Sequence, residues 1–332
     1  MACSLVANQD FQKETSALDT EKMVLNHGEF DSISFENLAP HELKNIQNHV
    51  ELTRHLQEIH SIYLMFQFNL DSFLNCYTLM NSGQVFRGGK PALLESDYIS
   101  INAYVNNIIS SGRTLTESME CYMKEHYSEG ADARADYLNH YHSVYDNSFA
   151  YRLLIRLRDY SQHGHLPVTL EGDQYCINLY NVLNKPHFNH NPTIKGQIAD
   201  AVNKIISIYR DTPTLSLTLT LAEFTAQLLS IYEKFWFCIQ ASLTASDIQF
   251  RKIVENHPEN INSSNDDEPG FFVFELTKGM AHAVYLGDDT DKMFQDNYKE
   301  AVAAHRKYAK SWKFLCEGIA IVNLTAAEDG EE

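Results

Sequence analysis

The stretch Tyr145-Asp-Asn-Ser-Phe-Ala-Tyr-Arg-Leu-Leu-Ile-Arg-Leu-Arg-Asp-Tyr-Ser-Gln-His-Gly-His-Leu-Pro-Val168 decides how this chain is read. Phe149, Tyr151, Leu153, Leu154, Leu157 and Tyr160 recur at helical steps. Asp146-Asn-Ser148 supplies residue types that open a helix, and Gly164 and Pro167 end it. Arg152, Arg156 and Arg158 are concentrated on that one helix, which closes on His163 and His165.

Outward from this stretch the pattern stays helical. Upstream, Pro40-His-Glu-Leu opens an amphipathic run from Leu43 to Tyr77, expected to break at Asn81-Ser-Gly83, with 83–91 a loop or short hairpin. Ser96-Asp97 is expected to cap a second helix through Ile101, Val105, Ile109 and Met119 to about Tyr127, before a polar stretch at 128–136. Beyond 190 a helix over 194–209 is followed by a break at Asp211-Thr-Pro213. An apolar helix then covers about 221–241, and 260–270 forms a surface linker. Residues 271–286 read as a β-hairpin, and a last helix runs from Asp291 to about Val322. The expected organisation is a loosely held arm over 1–36, a helical bundle over 37–188, a C-terminal helical region over 189–327 containing the hairpin, and an acidic tail over 328–332. The fold class is mainly α.

Of the 332 residues, 44% are hydrophobic and 21% charged, which excludes wholesale disorder. With 26 Lys+Arg against 44 Asp+Glu the net charge is −18, which opposes indiscriminate attraction to a polyanion. The charge is uneven: Tyr98–Leu170 holds six basic and eight acidic residues, so −16 lies elsewhere. A nearly neutral segment in an acidic chain is where a local anion site fits. No run of about 18 apolar residues is present to span a membrane, and the start lacks the pattern of a signal peptide. The six cysteines are scattered without a Cys-x-x-Cys, as in reduced cytoplasmic proteins. His140/His142, His163/His165 and His187/His190 lack the company of a metal site, so no metal and no cofactor is expected. Phosphate-loop, dinucleotide-binding and α/β-hydrolase signatures are missing.

Arg158-Asp-Tyr-Ser-Gln-His163 resembles the Arg-(Asn/Asp/His)-x-x-x-His signature of HEPN domains (higher eukaryotes and prokaryotes nucleotide-binding). The longer string Tyr151-Arg-x-x-x-x-Leu-Arg-Asp-Tyr-x-Gln-His-x-x-Leu-Pro167 is similar to a bacterial HEPN-like branch. Ile101-Asn-x-Tyr-Val-Asn-Asn-x-Ile-x-Ser-x-Arg-Thr-Leu115 resembles the helix preceding it there. The resemblance covers about residues 98–170, with Asp159 in place of the commoner Asn. It implies an antiparallel HEPN-like bundle, a homodimer with a composite site, and metal-independent endoribonuclease activity in stress response, antiphage defence or a toxin–antitoxin pair with a protein partner.

The residue chemistry is compatible with that implication. Cleavage without a metal needs a base that titrates near neutrality, as His163 does, and a fixed cation for the developing phosphorane charge, which Arg158 supplies. On an ideal helix the two lie about 140° apart, whereas Asp159 and His163, at i and i+4, share a face, so Asp159 is placed to orient the imidazole. Arg152 and Arg156 belong to the polar stripe that continues to Asp159, and with Gln162, Asn106 and Arg113 they are candidate contacts to RNA or a nucleotide. The same residues admit a second function, a non-catalytic helical dimer that binds a nucleotide or a partner protein.

Overall fold

The computed structural model describes residues 22–26, 33–34, 38–86, 95–162, 165–171, 174–183, 192–209, 213–256, 271–277, 280–287 and 290–328. The linker expected at 260–270, His163, Gly164, His187 and His190 lie outside them, as do 87–94 and most of the arm and acidic tail. The described chain is mainly helical, with helices α1 (Pro40–Phe86), α2 (Glu95–His126), α3 (Asp132–Asn147), α4 (Phe149–Gln162), α5 (Leu179–Leu183), α6 (Pro192–Tyr209), α7 (Leu217–Asn256) and α8 (Thr290–Glu328). No helix among the described residues is long and apolar enough to cross a membrane. The chain groups into two compact units, residues 1–58 with 239–298 and residues 59–238 with 299–332, and α1, α7 and α8 contribute residues to both.

In the first unit, strands β1 (Lys22–Asn26), β2 (Ile33–Ser34), β6 (Phe271–Thr277) and β7 (Met280–Gly287) form an antiparallel sheet in the order β2-β1-β6-β7. The hairpin expected at 271–286 is therefore present, and part of the expected arm is strand rather than loose chain. The helical part begins where the sequence says. Pro40 takes the first helical position, and Glu42 reaches back to accept from the Ala39 N–H at 2.9 Å. Ile46, Val50 and Leu56 of α1 and Leu243, Phe250 and Ile253 of α7 are buried here. Among them sits His49, fully buried, stacked on Phe250 with 4.8 Å between ring centres and hydrogen-bonded through Nδ1 to Ser246 Oγ at 2.9 Å.

The second unit holds α2 to α6 and a second sheet, β3-β4-β5, of strands β3 (Thr169–Glu171), β4 (Gln174–Asn178) and β5 (Thr214–Ser216), all antiparallel. Its core is aromatic: Tyr63, Phe66, Phe73, Tyr122, Tyr137, Tyr151, Phe224, Tyr232, Phe235 and Trp236 are fully buried. Tyr63 and Tyr232 stack at 3.9 Å, and Trp236 meets Tyr232 and Phe235 edge-on. At Gly112 of α2 a Cβ would stand 3.0 Å from Cζ of Phe224 and 3.3 Å from Leu228, so α2 and α7 approach as closely as the missing side chain allows. Gly112→Val is expected to lower stability by about 2 kcal/mol through overpacking against the fully buried Phe224. Urea unfolding checks this, since an unchanged midpoint would mean that the two helices do not pack there.

Three expectations need correction. α1 runs through Asn81-Ser-Gly83 to Phe86, because one glycine costs a helix only about 1 kcal/mol. α2 starts at Glu95, which puts Ser96 and Asp97 inside its first turn rather than at a cap. Residues 128–136 are not simply a polar stretch, since α3 begins at Asp132; only Tyr137 and Val144 of this helix are buried, too few to show a helical period.

Candidate functional site

The arginine-bearing helix α4 grows out of a one-residue joint. The Ser148 N–H donates to Val144 O at 3.0 Å and closes α3, while Ser148 Oγ accepts from the Tyr151 N–H at 3.1 Å and opens α4. The same hydroxyl donates to Glu223 Oε1 of α7 at 2.5 Å, which fixes the joint against a third helix. Ala150, Tyr151, Leu153, Leu154, Ile155 and Leu157 are all buried, so α4 is a core helix covered on most of its circumference.

Arg152 and Arg156 do not form a solvated stripe. Arg152 is buried; its Nη2 donates to Asp146 O at 2.8 Å and its guanidinium lies over the Tyr145 ring. Arg156 donates through Nε and Nη2 to Tyr145 Oη at 3.3 and 3.1 Å. Both cations therefore stand at the C-terminal end of α3, where unsatisfied carbonyls and the negative end of the helix dipole attract them. Arg158 is elsewhere. Two positions after Arg156, it projects about 160° away around the helix. It is half-buried, and its Nε is buried with no hydrogen-bond partner among the described residues.

The pairing of α2 with α4 sets where Arg158 lies. Tyr151, near the start of α4, is flanked by Thr116 and Glu117 in the second half of α2, and burial holds its phenol well above the ordinary range. Val168, beyond the end of α4, is held by Asn102 in the first half of α2. The order is reversed, so the two helices run antiparallel. Arg158 falls between these anchor points on α4 as Asn106 does on α2, and Asn106 Oδ1 is also buried without a partner among the described residues. Arg113 is engaged with Glu117 in an exposed i,i+4 ion pair at 2.8 Å. The side chains of Asp159 and Gln162 lie outside the described residues, as does His163.

What sequence reasoning missed is the hold on Val168. Asn102 Oδ1 accepts from the Val168 N–H at 3.0 Å, and Asn102 Nδ2 donates to Val168 O at 3.4 Å and Tyr98 O at 3.1 Å. Tyr98 Oη donates to the same Val168 carbonyl at 3.0 Å. One amide side chain thus pairs with both backbone groups of a residue five positions after His163, as a neighbouring strand would. The only sign in the sequence was an asparagine set among Ile101, Val105, Ile108 and Ile109, all of them buried. Of the other histidine candidates, His140 hydrogen-bonds Ser230 Oγ at 2.9 Å and burial lowers its pKa, while His142 is exposed and His165 half-buried.

What this arrangement offers chemically is a guanidinium that has lost part of its hydration and whose Nε has no hydrogen-bond partner among the described residues. Buried polar atoms are ordinarily satisfied, and an unsatisfied charged donor has the most to gain from an external anion. Comparison with known proteins adds nothing to this: no family model, no curated protein and no solved structure matches the chain.

Proposed function

We propose that the chain is a metal-independent endoribonuclease of HEPN type that acts as a homodimer. The observation that carries the reading is Arg158, a half-buried cation whose Nε, like that of Arg152, has no hydrogen-bond partner among the described residues, and which precedes His163 by five positions in the sequence. In this reading His163 takes the proton of a ribose 2′-hydroxyl, which attacks the adjacent phosphorus. The 5′-oxygen leaves with a proton, and a 2′,3′-cyclic phosphate remains on the product. Arg158 stabilises the charge on the phosphorane, Asp159 orients the imidazole, and Gln162, Asn106 and Arg158 of each protomer face the strand.

The measurement is cleavage of single-stranded RNA in EDTA by the wild-type chain, His163→Ala and Arg158→Ala. Each variant is expected to be at least about 100-fold slower, the usual cost of losing a base or an oxyanion donor. Equal rates in wild type and His163→Ala would remove His163 from the mechanism.

The alternative, a non-catalytic helical dimer binding a nucleotide or a partner protein, is favoured by one specific observation. Arg152 (through Nη2), Arg156 and Arg113, offered by the sequence as substrate contacts, each make a hydrogen bond or ion pair within the chain. RNA left intact by all three proteins transfers the reading to it.

A further inference from the structure

The strongest positive charge among the described residues is not on α4. Residues 299–313 of α8 contain five basic residues, Lys299, Arg306, Lys307, Lys310 and Lys313, and a single acidic one, Glu300, in a chain of net charge −18. All five are exposed. Lys299, Arg306, Lys310 and Lys313 follow one another at steps of seven, four and three, which keeps them along one side of the helix, with about 10 Å between residues seven apart. Lys307 stands beside the stripe and is paired with Asp71 at 2.6 Å. Lys310 and Ser311 also line an open groove whose other wall is Leu74, Asn75 and Thr78 of α1.

We propose that this face of α8 is a docking surface for the phosphate backbone of a single-stranded nucleic acid. A row of exposed cations at helical intervals gives the sequence-independent attraction that such binding uses. The adjoining groove supplies neutral hydroxyl and amide groups from Ser311, Thr78 and Asn75, the types that contact phosphate and sugar oxygens. An anionic membrane surface fits less well. A helix lying in a membrane interface needs its apolar side free, and here Ala301, Ala304, Tyr308, Trp312 and Leu315 are already buried in the protein. The acidity of the rest of the chain confines a polyanion to this face. The surface needs neither Arg158 nor His163, so it stands if the nuclease reading fails.

The test is fluorescence anisotropy on the full-length His163→Ala chain, which separates binding from cleavage. The probes are a labelled oligonucleotide of about 20 nucleotides, as RNA and as DNA, between about 50 and 200 mM salt. Binding to either oligonucleotide is expected, and adding Arg306→Glu and Lys310→Glu is expected to weaken it at least tenfold. Arg306→Ala with Lys310→Ala should lower the log–log salt slope by about 1.4, at about 0.7 per contact on a single strand. Circular dichroism and the thermal midpoint establish that each variant is folded. If the double reversal unfolds, the single changes Arg306→Gln and Lys310→Gln carry the test. No binding at about 50 mM salt, or equal affinity in folded variants, overturns the proposal. So does tighter binding to phosphatidylserine vesicles or to polyglutamate than to the oligonucleotides.

Discussion

Asn102→Leu is expected to destabilise the protein by about 2–4 kcal/mol, although the two side chains are close in size. The volume is kept and apolar burial rises, so the loss comes from hydrogen bonding alone. The Val168 N–H, buried and bonded to Asn102 Oδ1 at 3.0 Å, is left with no acceptor, and the Tyr98 carbonyl loses the amide that donates to it. An orphaned buried donor costs about 1–3 kcal/mol, more than the bond is worth when both partners are present. Tyr98→Phe removes one bond to an acceptor that keeps Asn102 Nδ2, and should cost about 1 kcal/mol. Urea unfolding measures both. Equal small effects, below about 0.5 kcal/mol, would show that Asn102 is not what holds Val168. Hydrogen exchange at the Val168 amide gives a local reading, with protection lost in Asn102→Leu and largely kept in Tyr98→Phe.

The second large effect is a loss of stability on mild acidification that originates at His49. Burial lowers its pKa from 6.5 to about 4; the Asp247 carboxylate pulls the other way and the Arg251 guanidinium adds to the lowering. The folded state therefore prefers the neutral ring. A group whose pKa is depressed on folding contributes its full stability above the unfolded value, and that contribution is lost as pH falls from 6.5 through about 4. At 1.36 kcal/mol per unit the loss approaches about 3 kcal/mol. Over the upper part of this range the negative charge of the chain diminishes, which relaxes self-repulsion and acts in the opposite direction. Unfolding midpoints of wild type and His49→Gln between about pH 7 and pH 4 separate the contributions, because glutamine keeps a partner for Ser246 and cannot take up the proton. Parallel pH profiles for the two proteins would rule His49 out.

Where apolar periodicity was strong, the fold was legible. The buried positions of α1, from Ile46 through Tyr63 and Phe66 to Tyr77, are the residues whose spacing marks the helix. Helix α3 escaped because it lies on the outside and commits only Tyr137 and Val144 to the core. Strands β3 and β5 are three residues each, too short for alternation to register, and β5 reaches β4 only after α5 and α6 intervene. At the site, residue type located the arginines but could not say which were free. Arg152 and Arg156 lie four apart on one side of α4, and that side faces Tyr145 and the last carbonyls of α3. A helix end arriving from the preceding segment is a tertiary circumstance that no stripe of charges reveals. The same holds for Asn102, whose partner is 66 residues away.

The order in which the two units are laid down along the chain carries a consequence for biogenesis. Most of the second unit is one continuous stretch, residues 59–238, while the first is assembled from residues 1–58 and 239–298. On the ribosome the N-terminal half of α1 emerges with Ile46, Val50 and Leu56 on one side, yet Leu243, Phe250 and Ile253, buried in the same unit, are not translated until about 200 residues later. Strand β1 waits longer still, since the register that pairs Val24 with Phe274 spans 250 positions. At about 5–20 residues per second, that is a delay of roughly 12–50 s during which an apolar helix face and an unpaired strand edge are open to other chains. The continuous unit can close in the meantime. The discontinuous one stays open until residues 239–298 have followed, so its early apolar face is exposed for longer than any surface of the continuous unit.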